Sequence, residues 1–277
     1  MNGISAYIPC YNNALSLSKA IESMRKQTVQ VDELFVIDDG STDDSLAIAA
    51  KHQVKVVSLG KNFGRGRVRA EAVERSMNPF VLSCDATNAL EPDFLEKALP
   101  HFDVSATAAV FGRIRQMPGG NFIQRWRGRH LFQEEIAASL EKKALLSTWG
   151  CVLRREAALK VGNFNPNLRH SEDADLGERL LKQGYEVVFD PRLNVFSVVE
   201  NSLGQVLERY WRWYAGKNEN LSIRSYLKQI VFSIKVLAVR DWRAGDPGAS
   251  FVSLLVPHYQ FWKTLIRKSR KHGNYNR

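Results

Sequence analysis

Short apolar runs that each end near a polar turn constrain this chain more than any other feature. Residues 4–8 run into Pro9-Cys10-Tyr11-Asn12, and residues 34–37 into Asp38-Asp39-Gly40-Ser41. Residues 54–57 precede Lys61-Asn62-Phe63-Gly64, and residues 80–83 precede Asp85-Ala86-Thr87-Asn88. The runs are rich in β-branched and aromatic residues and largely lack polar alternation, as strands buried on both faces of a parallel sheet do. Ligands of such sheets sit outside the carboxyl ends of the strands. A chain that stacks its polar turns on that edge has a candidate site there.

Helical patterns fill the intervals, as parallel strands require. Leu17, Ala20, Ile21 and Met24 recur at helical spacing after Asn12-Asn13, a candidate N-cap. Ser41-Thr42-Asp43-Asp44 has the form of a capping box opening a helix over 45–51. Ala70, Val73 and Met77 mark a further amphipathic stretch. Alternating strands and helices with right-handed crossovers predict a layered α/β domain.

The 277 residues suffice for a large core, burying about three quarters of the unfolded surface. The chain opens directly into a strand pattern, so no signal segment is expected. No apolar run reaches the roughly 20 residues of a membrane-spanning helix. Cys10, Cys84 and Cys151 lack metal-ligand spacing and read as reduced thiols of a cytoplasmic protein. The net charge of +10 calls for an anionic partner. No recognisable nucleic-acid motif accompanies the basic residues, so nucleic acid is not expected. Anionic lipid and anionic nucleotide-sugar substrates account for the charge better.

The last quarter of the chain differs in composition. Tyr210-Trp211-Arg212-Trp213-Tyr214, residues 230–239 and residues 251–266 mix apolar, aromatic and basic side chains, and Arg267-Lys268 and Arg270-Lys271 close the region. Two readings stand: helices lying in a membrane interface, on the inner face of the cell membrane, or helices packed on the rest of the protein with a basic face outward.

Taken in order, the motifs resemble family 2 glycosyltransferases of the single-transfer bacterial type. The resemblance rests on Ile8-Pro9-Cys10-Tyr11-Asn12, Ile37-Asp38-Asp39-Gly40-Ser41-Thr42-Asp43, Asn62-x-Gly64 with Arg69, and Asp85-Ala86-Thr87-Asn88. It continues through Trp149-Gly150 with Arg154-Arg155 to Glu172-Asp173-Ala174-Asp175. It implies a GT-A fold: a mixed, mostly parallel central sheet flanked by helices, with a Rossmann-like nucleotide-binding half. A catalytic domain over 1–203 and a C-terminal helical appendage over 204–277 are expected.

The implied activity is inverting transfer of a sugar from a nucleotide-diphosphate sugar to an acceptor hydroxyl, on a glycan or lipid-linked polysaccharide precursor. By resemblance, Pro9, Tyr11, Asn12, Asp39, Asn62, Gly64, Arg69 and Asp85 bind the donor nucleotide. Trp149, Gly150 and Glu172 bind the acceptor. Asp173 is the general base, a role a carboxylate fills when it lies within hydrogen-bond reach of the hydroxyl. Acidic residues in a first helical turn also simply complement the helix dipole. Ser171 is a candidate N-cap and Gly184 a candidate stop for that helix. His170 is a candidate phosphate or metal contact, or a structural donor. Arg209-Tyr210-Trp211-Arg212-Trp213 resembles the Gln-x-x-Arg-Trp signature of processive synthases, with Arg209 in place of Gln.

The chain departs from the family at the metal motif. The family carries an Asp-x-Asp that holds Mg²⁺ or Mn²⁺ on the diphosphate; here Asp85 remains, but Thr87 and Asn88 replace further carboxylates. Three outcomes stay open. The metal binds weakly through Asp85, with Thr87, waters and the diphosphate itself; arginines such as Arg65 or Arg69 replace its charge; or the protein is a non-catalytic nucleotide-sugar-binding module. A nucleotidyltransferase is a further alternative on a similar sheet.

Overall fold

The structure, a computed structural model, describes residues 3–215 and 222–273. Among these residues, eight strands form one sheet in the order β3-β2-β1-β4-β7-β6-β8-β5. β1 (Ile4–Cys10), β2 (Glu33–Asp38), β3 (Lys55–Ser58) and β4 (Phe80–Cys84) are the four predicted runs. All pair in parallel. Cys10 lies opposite Asp38, and Asp38 opposite Ser58, so these strands end on one edge and their polar turns begin side by side.

The other half of the sheet is antiparallel. β7 (Gly150–Arg154) runs against β4, with Cys84 opposite Gly150. β6 (Thr107–Gln116) pairs with β7, and β8 (Glu186–Ser197) pairs with the short β5 (Asn88–Leu90). The sheet is therefore mixed, and the antiparallel pairing with β7 brings Gly150 beside the polar turn after β4.

Helices cover both faces because each carries one apolar stripe. α1 (Ala14–Arg25) buries Leu17, Ala20, Ile21 and Met24 against Ile4, Ile8 and Leu82. α2 (Ser45–Lys51) follows the predicted turn, but without a capping box. Instead Asp43 accepts the backbone N–H of Ser45 at 3.0 Å and that of Ala14 at 2.9 Å, joining the starts of both helices. α3 (Arg65–Arg75) buries Val68, Ala72 and Val73 against Tyr7, Phe35 and Ile37. It stops before Met77, which is exposed rather than part of the stripe. α4 (Phe94–Ala98) and α6 (Arg155–Lys160) are short; α7 (Glu172–Lys182) buries Leu176 and Leu180 on the α3 side. Cys10, Cys84 and Cys151 are buried and unpaired by disulfides.

The chain divides into two compact units: residues 1–115 with 137–199, and residues 116–136 with 200–277. The first holds most of the sheet. The second gathers α5 (Phe122–Trp126), α8 (Leu203–Tyr210), α9 (Ile223–Phe232), α10 (Val239–Arg243) and α11 (Pro247–Gly273), with π-helical turns at Arg127–Leu131, Trp211–Ala215 and Ser233–Ala238. Its interior carries a charged network. Asp241 meets the Arg129 guanidinium at 2.5 Å, the His130 ring at 2.7 Å and the Ser253 hydroxyl at 2.6 Å. The Trp126 ring N–H donates to Ser253 at 2.8 Å, and its ring packs edge-on against Tyr210. The side chains of Lys268, Arg270 and Lys271 lie outside the described residues. Among the described residues no helix is long and apolar enough to cross a membrane.

Candidate active site

Backbone amides and short polar side chains build the edge at the carboxyl ends of β1, β2 and β3. Asp38 accepts the N–H of Ser41 at 3.1 Å and the Ser58 hydroxyl at 3.2 Å, which fixes the turn after β2. Asp39 accepts the N–H of Phe63 at 2.8 Å and of Gly64 at 2.9 Å, which ties that turn to the loop leading into α3. The two loops lie so close that a Cβ on Gly40 would sit 2.6 Å from the Lys61 backbone. Asn12, in the left-handed region (φ 52°), donates its N–H to Ser41 and accepts from the Thr42 N–H at 2.8 Å. Arg169 bonds the Asn62 side chain. Pro9 lies near the end of β1 and Tyr11 just beyond it, with the Tyr11 side chain exposed. The structure thus gathers Pro9, Tyr11, Asn12, Asp39, Asn62 and Gly64 on one edge.

The centre of the site is Arg69, a fully buried guanidinium projecting from α3. It donates to Asp85 at 2.7 Å, Glu172 at 3.1 Å, Ser83 at 2.9 Å and the Tyr7 hydroxyl at 3.2 Å. Burial alone would depress its basicity, but Tyr7, Asp85 and Glu172 hold it well above the usual arginine range. One cation therefore joins the turn after β4 to the first turn of α7. Sequence reasoning missed Tyr7 and Ser83. Their signal was two polar groups in adjacent, mostly apolar strands, and the register places them opposite one another.

Asp173 follows Glu172, half-buried at the start of α7. Ser171 occupies the N-cap position as predicted but is left-handed (φ 59°), and its side chain makes no capping bond. Non-glycine residues adopt that conformation rarely and at a cost, which marks the turn as constrained. Burial, then the neighbouring Glu172 carboxylate, raises the Asp173 pKa above the ordinary carboxylate value, and Arg69 opposes them. Such a carboxylate is a better proton acceptor than a solvated one. Asp175 instead pairs with Arg179 at 2.6 Å, which also binds the carbonyls of Val161 and Asn163. Gly184, left-handed at φ 87°, follows the helix end as predicted.

Trp149 and Gly150 join the same edge through β7. The Trp149 ring N–H donates to the Gly112 carbonyl at 2.8 Å, and its ring meets Phe111 edge-on, so one side is held and the side chain is half-buried. Gly150 is a packing glycine: a Cβ there would fall 2.5 Å from Val195. His170 is exposed beside the acidic turn.

The metal motif gives a sparse donor set. Asp85 offers one carboxylate, already paired with Arg69 through one oxygen. Asn88 donates to the Trp149 carbonyl at 3.0 Å, and the Thr87 carbonyl accepts from Val198. Among the described residues no group of three or more His, Cys, Asp or Glu side chains could hold a metal ion. The residues fit Mg²⁺ or Mn²⁺ only in the minimal form, with one protein carboxylate and the remaining positions filled by substrate phosphate and water.

Known proteins share this architecture. Residues 5–162 match the model of the family described as glycosyl transferase family 2. The chain is 26% identical over 234 residues to an N-acetylglucosaminyltransferase of Mesorhizobium japonicum, covering 76% of this chain and 54% of that protein. It is 22% identical over 239 residues to a poly-beta-1,6-N-acetyl-D-glucosamine synthase of Staphylococcus epidermidis, covering 80% and 56%. It thus spans about half the length of these relatives. The crystal structure of S. aureus TarS 1-349 in complex with UDP aligns with a TM-score of 0.58 at 15% identity, covering 98% of this chain and 92% of that one. GalNAc-T7 with UDP, GalNAc and Mn2+ aligns at 0.59 and 14% identity, covering 86% and 52%. These likenesses identify the fold as that of the GT-A glycosyltransferases, as the motifs implied. With the family match covering more than half of its length, the chain belongs to glycosyl transferase family 2.

Proposed function

We propose that the chain is an inverting glycosyltransferase that moves a sugar from a nucleoside-diphosphate donor to an acceptor hydroxyl. The observation that carries this reading is the Arg69 bridge, which sets the donor-side Asp85 and the acidic turn bearing Asp173 around one buried cation. The donor nucleotide lies along the edge formed by Pro9, Tyr11, Asn12, Asp39, Asn62 and Gly64. The acceptor rests against Trp149 and Gly150, with Glu172 holding Arg69 beneath it. Asp173 takes the proton of the acceptor hydroxyl as its oxygen attacks the anomeric carbon. The bond from that carbon to the diphosphate oxygen breaks, and the nucleoside diphosphate leaves with the electron pair from the opposite face. Arg69 keeps a positive charge near the developing anion. Fixed charge of this kind contributes about 3 kcal/mol in comparable sites. Asp85, with Thr87 beside it, would hold Mg²⁺ or Mn²⁺, which when bound supplies further charge neutralisation on the diphosphate.

A UDP-linked N-acetylhexosamine is the first donor to test, because relatives are named for N-acetylglucosamine transfer and two structural neighbours hold UDP. The acceptor in this reading is a lipid-linked or growing glycan. The test is release of UDP with a panel of glycan acceptors, in wild type and Asp173→Asn. Acceptor-dependent release that Asp173→Asn abolishes, with UDP binding retained, is the expected result. Tight UDP binding with no turnover on any acceptor would leave a nucleotide-sugar-binding module; turnover at wild-type rate in Asp173→Asn would remove the base from the mechanism.

A further inference from the structure

In the second unit, residues 223–243 form a continuous run of helical turns whose polarity is inverted. The inward positions are Ser233, Leu237 and Asp241, with Asp241 fully buried at 0% exposure. Ser233 bonds the Ser253 carbonyl, and Asp241 sits in the charge network of Arg129 and His130. The outward face is apolar. Ile223 (75% exposed), Leu227, Val231, Ile234 and Trp242 (70% exposed) follow one another at helical spacing, with Phe232, Val236 and Val239 beside them. A face of this size on an isolated chain marks an interaction surface.

Charge decides what covers it. Arg224, Lys228, Lys235 and Arg243 form a second exposed row beside the apolar one. Between 222 and 243 the only acidic residue is Asp241, which is buried and paired. Where this row ends, Lys235, Arg240 and Arg243 line a shallow groove together with Glu135, which pairs with Arg240 at 2.9 Å. The neighbouring α11, held against α9 by a 2.6 Å contact between Tyr226 and His258, exposes Phe251, Leu254 and Trp262 in addition. Exposed aliphatic and Trp side chains bordered by a predominantly basic row suit the boundary between acyl chains and anionic headgroups.

We propose that residues 223–243 form a docking helix for anionic bilayers. It lies in the plane of the membrane, with Leu227, Val231 and Trp242 inserted below the headgroups and Arg224, Lys228, Lys235 and Arg243 on the lipid phosphates. A helix this polar on its inner side does not need to cross the membrane to hold the protein there.

The test is flotation of the full chain with phosphatidylcholine vesicles, with and without phosphatidylglycerol, at low and high salt, alongside analytical ultracentrifugation without lipid. Binding should require phosphatidylglycerol and fall with salt. Val231→Glu with Trp242→Glu should lower the partition coefficient at least tenfold, since each removes the burial of a large apolar side chain. Lys228→Glu with Lys235→Glu should lower it by at least about tenfold through lost headgroup attraction. All four positions are exposed, so unchanged thermal melting separates lost docking from lost folding. Equal flotation on neutral vesicles, or binding indifferent to both double variants, would overturn the proposal. So would a dimer in the centrifuge that Val231→Glu with Trp242→Glu dissociates, which would make the face a contact between two copies of the chain.

Discussion

Asp173 is held in conflict with its own charge. Burial and Glu172 favour its neutral form, so its proton is retained to higher pH in the folded chain than in the unfolded one. A carboxylate with a raised folded pKa stabilises the fold below its unfolded pKa and loses that contribution as pH rises through the folded pKa. Two measurements follow. The acid limb of the pH–rate profile should lie above the ordinary carboxylate pKa, because in the proposed mechanism Asp173 must be ionised to act. Asp173→Asn should lose about a hundredfold to ten-thousandfold in turnover, the range of a general base, while melting at or above the wild-type temperature at neutral pH. A large drop in melting temperature would mean that the carboxylate holds the fold rather than the chemistry. Arg69 behaves in the opposite way. Arg69→Leu strands the buried Glu172 charge, and removing one member of a buried ion pair costs about 3–5 kcal/mol. Urea unfolding should show that loss. Arg69→Lys keeps the charge but not the fork that reaches several acceptors, and should recover only part of it.

At the scale of elements, close backbone approach shapes the loops at the carboxyl ends of the parallel strands. Gly66, in the first turn of α3, donates its N–H to the Leu168 carbonyl at 3.0 Å, and an added Cβ would sit 2.2 Å from the Asn165 carbonyl oxygen. Gly66→Ala must push these two segments apart, and overpacking of this kind costs about 1–3 kcal/mol. Weaker UDP binding in calorimetry together with a lower melting temperature is the expected outcome. The elements themselves were largely legible. Unalternated apolar runs gave the four parallel strands, and helical periodicity gave α1 to within a turn. What periodicity could not give was pairing between distant segments. Arg69 and Glu172 are 103 positions apart, and nothing local to either announces the other. Met77 fits the α3 stripe by spacing, yet the helix has already ended at Arg75 and turned toward β4. The inverted face of 223–243 was visible only as a mixture of basic and apolar residues, because sequence does not say which side faces in.

At the scale of the whole molecule, the chain order and the compact units do not coincide. Residues 116–136 belong with the helices after residue 200, and their Trp126, Leu131 and Phe132 are buried. Nothing in the composition of that stretch singles it out. A fragment ending at Val199 would therefore keep residues 116–136 while removing the helices that share their unit. Limited proteolysis of such a fragment should cut within 116–136 far faster than in the full chain, with the rest of the sheet unit more resistant. Equal cleavage rates would mean that the segment orders itself without those helices.

The Arg69 bridge also restricts how such a site can change over generations of mutation. One cation answers Asp85 and Glu172 together, so altering either carboxylate alone leaves the centre with a different net charge. Single-step variation at these positions should mostly meet dead ends. Productive variants should arrive as coordinated sets, and a library randomising positions 69, 85 and 172 together should contain active combinations whose component single substitutions are inactive. Substrate preference would then drift through the surrounding loops, while these three positions move as one unit or stay as they are.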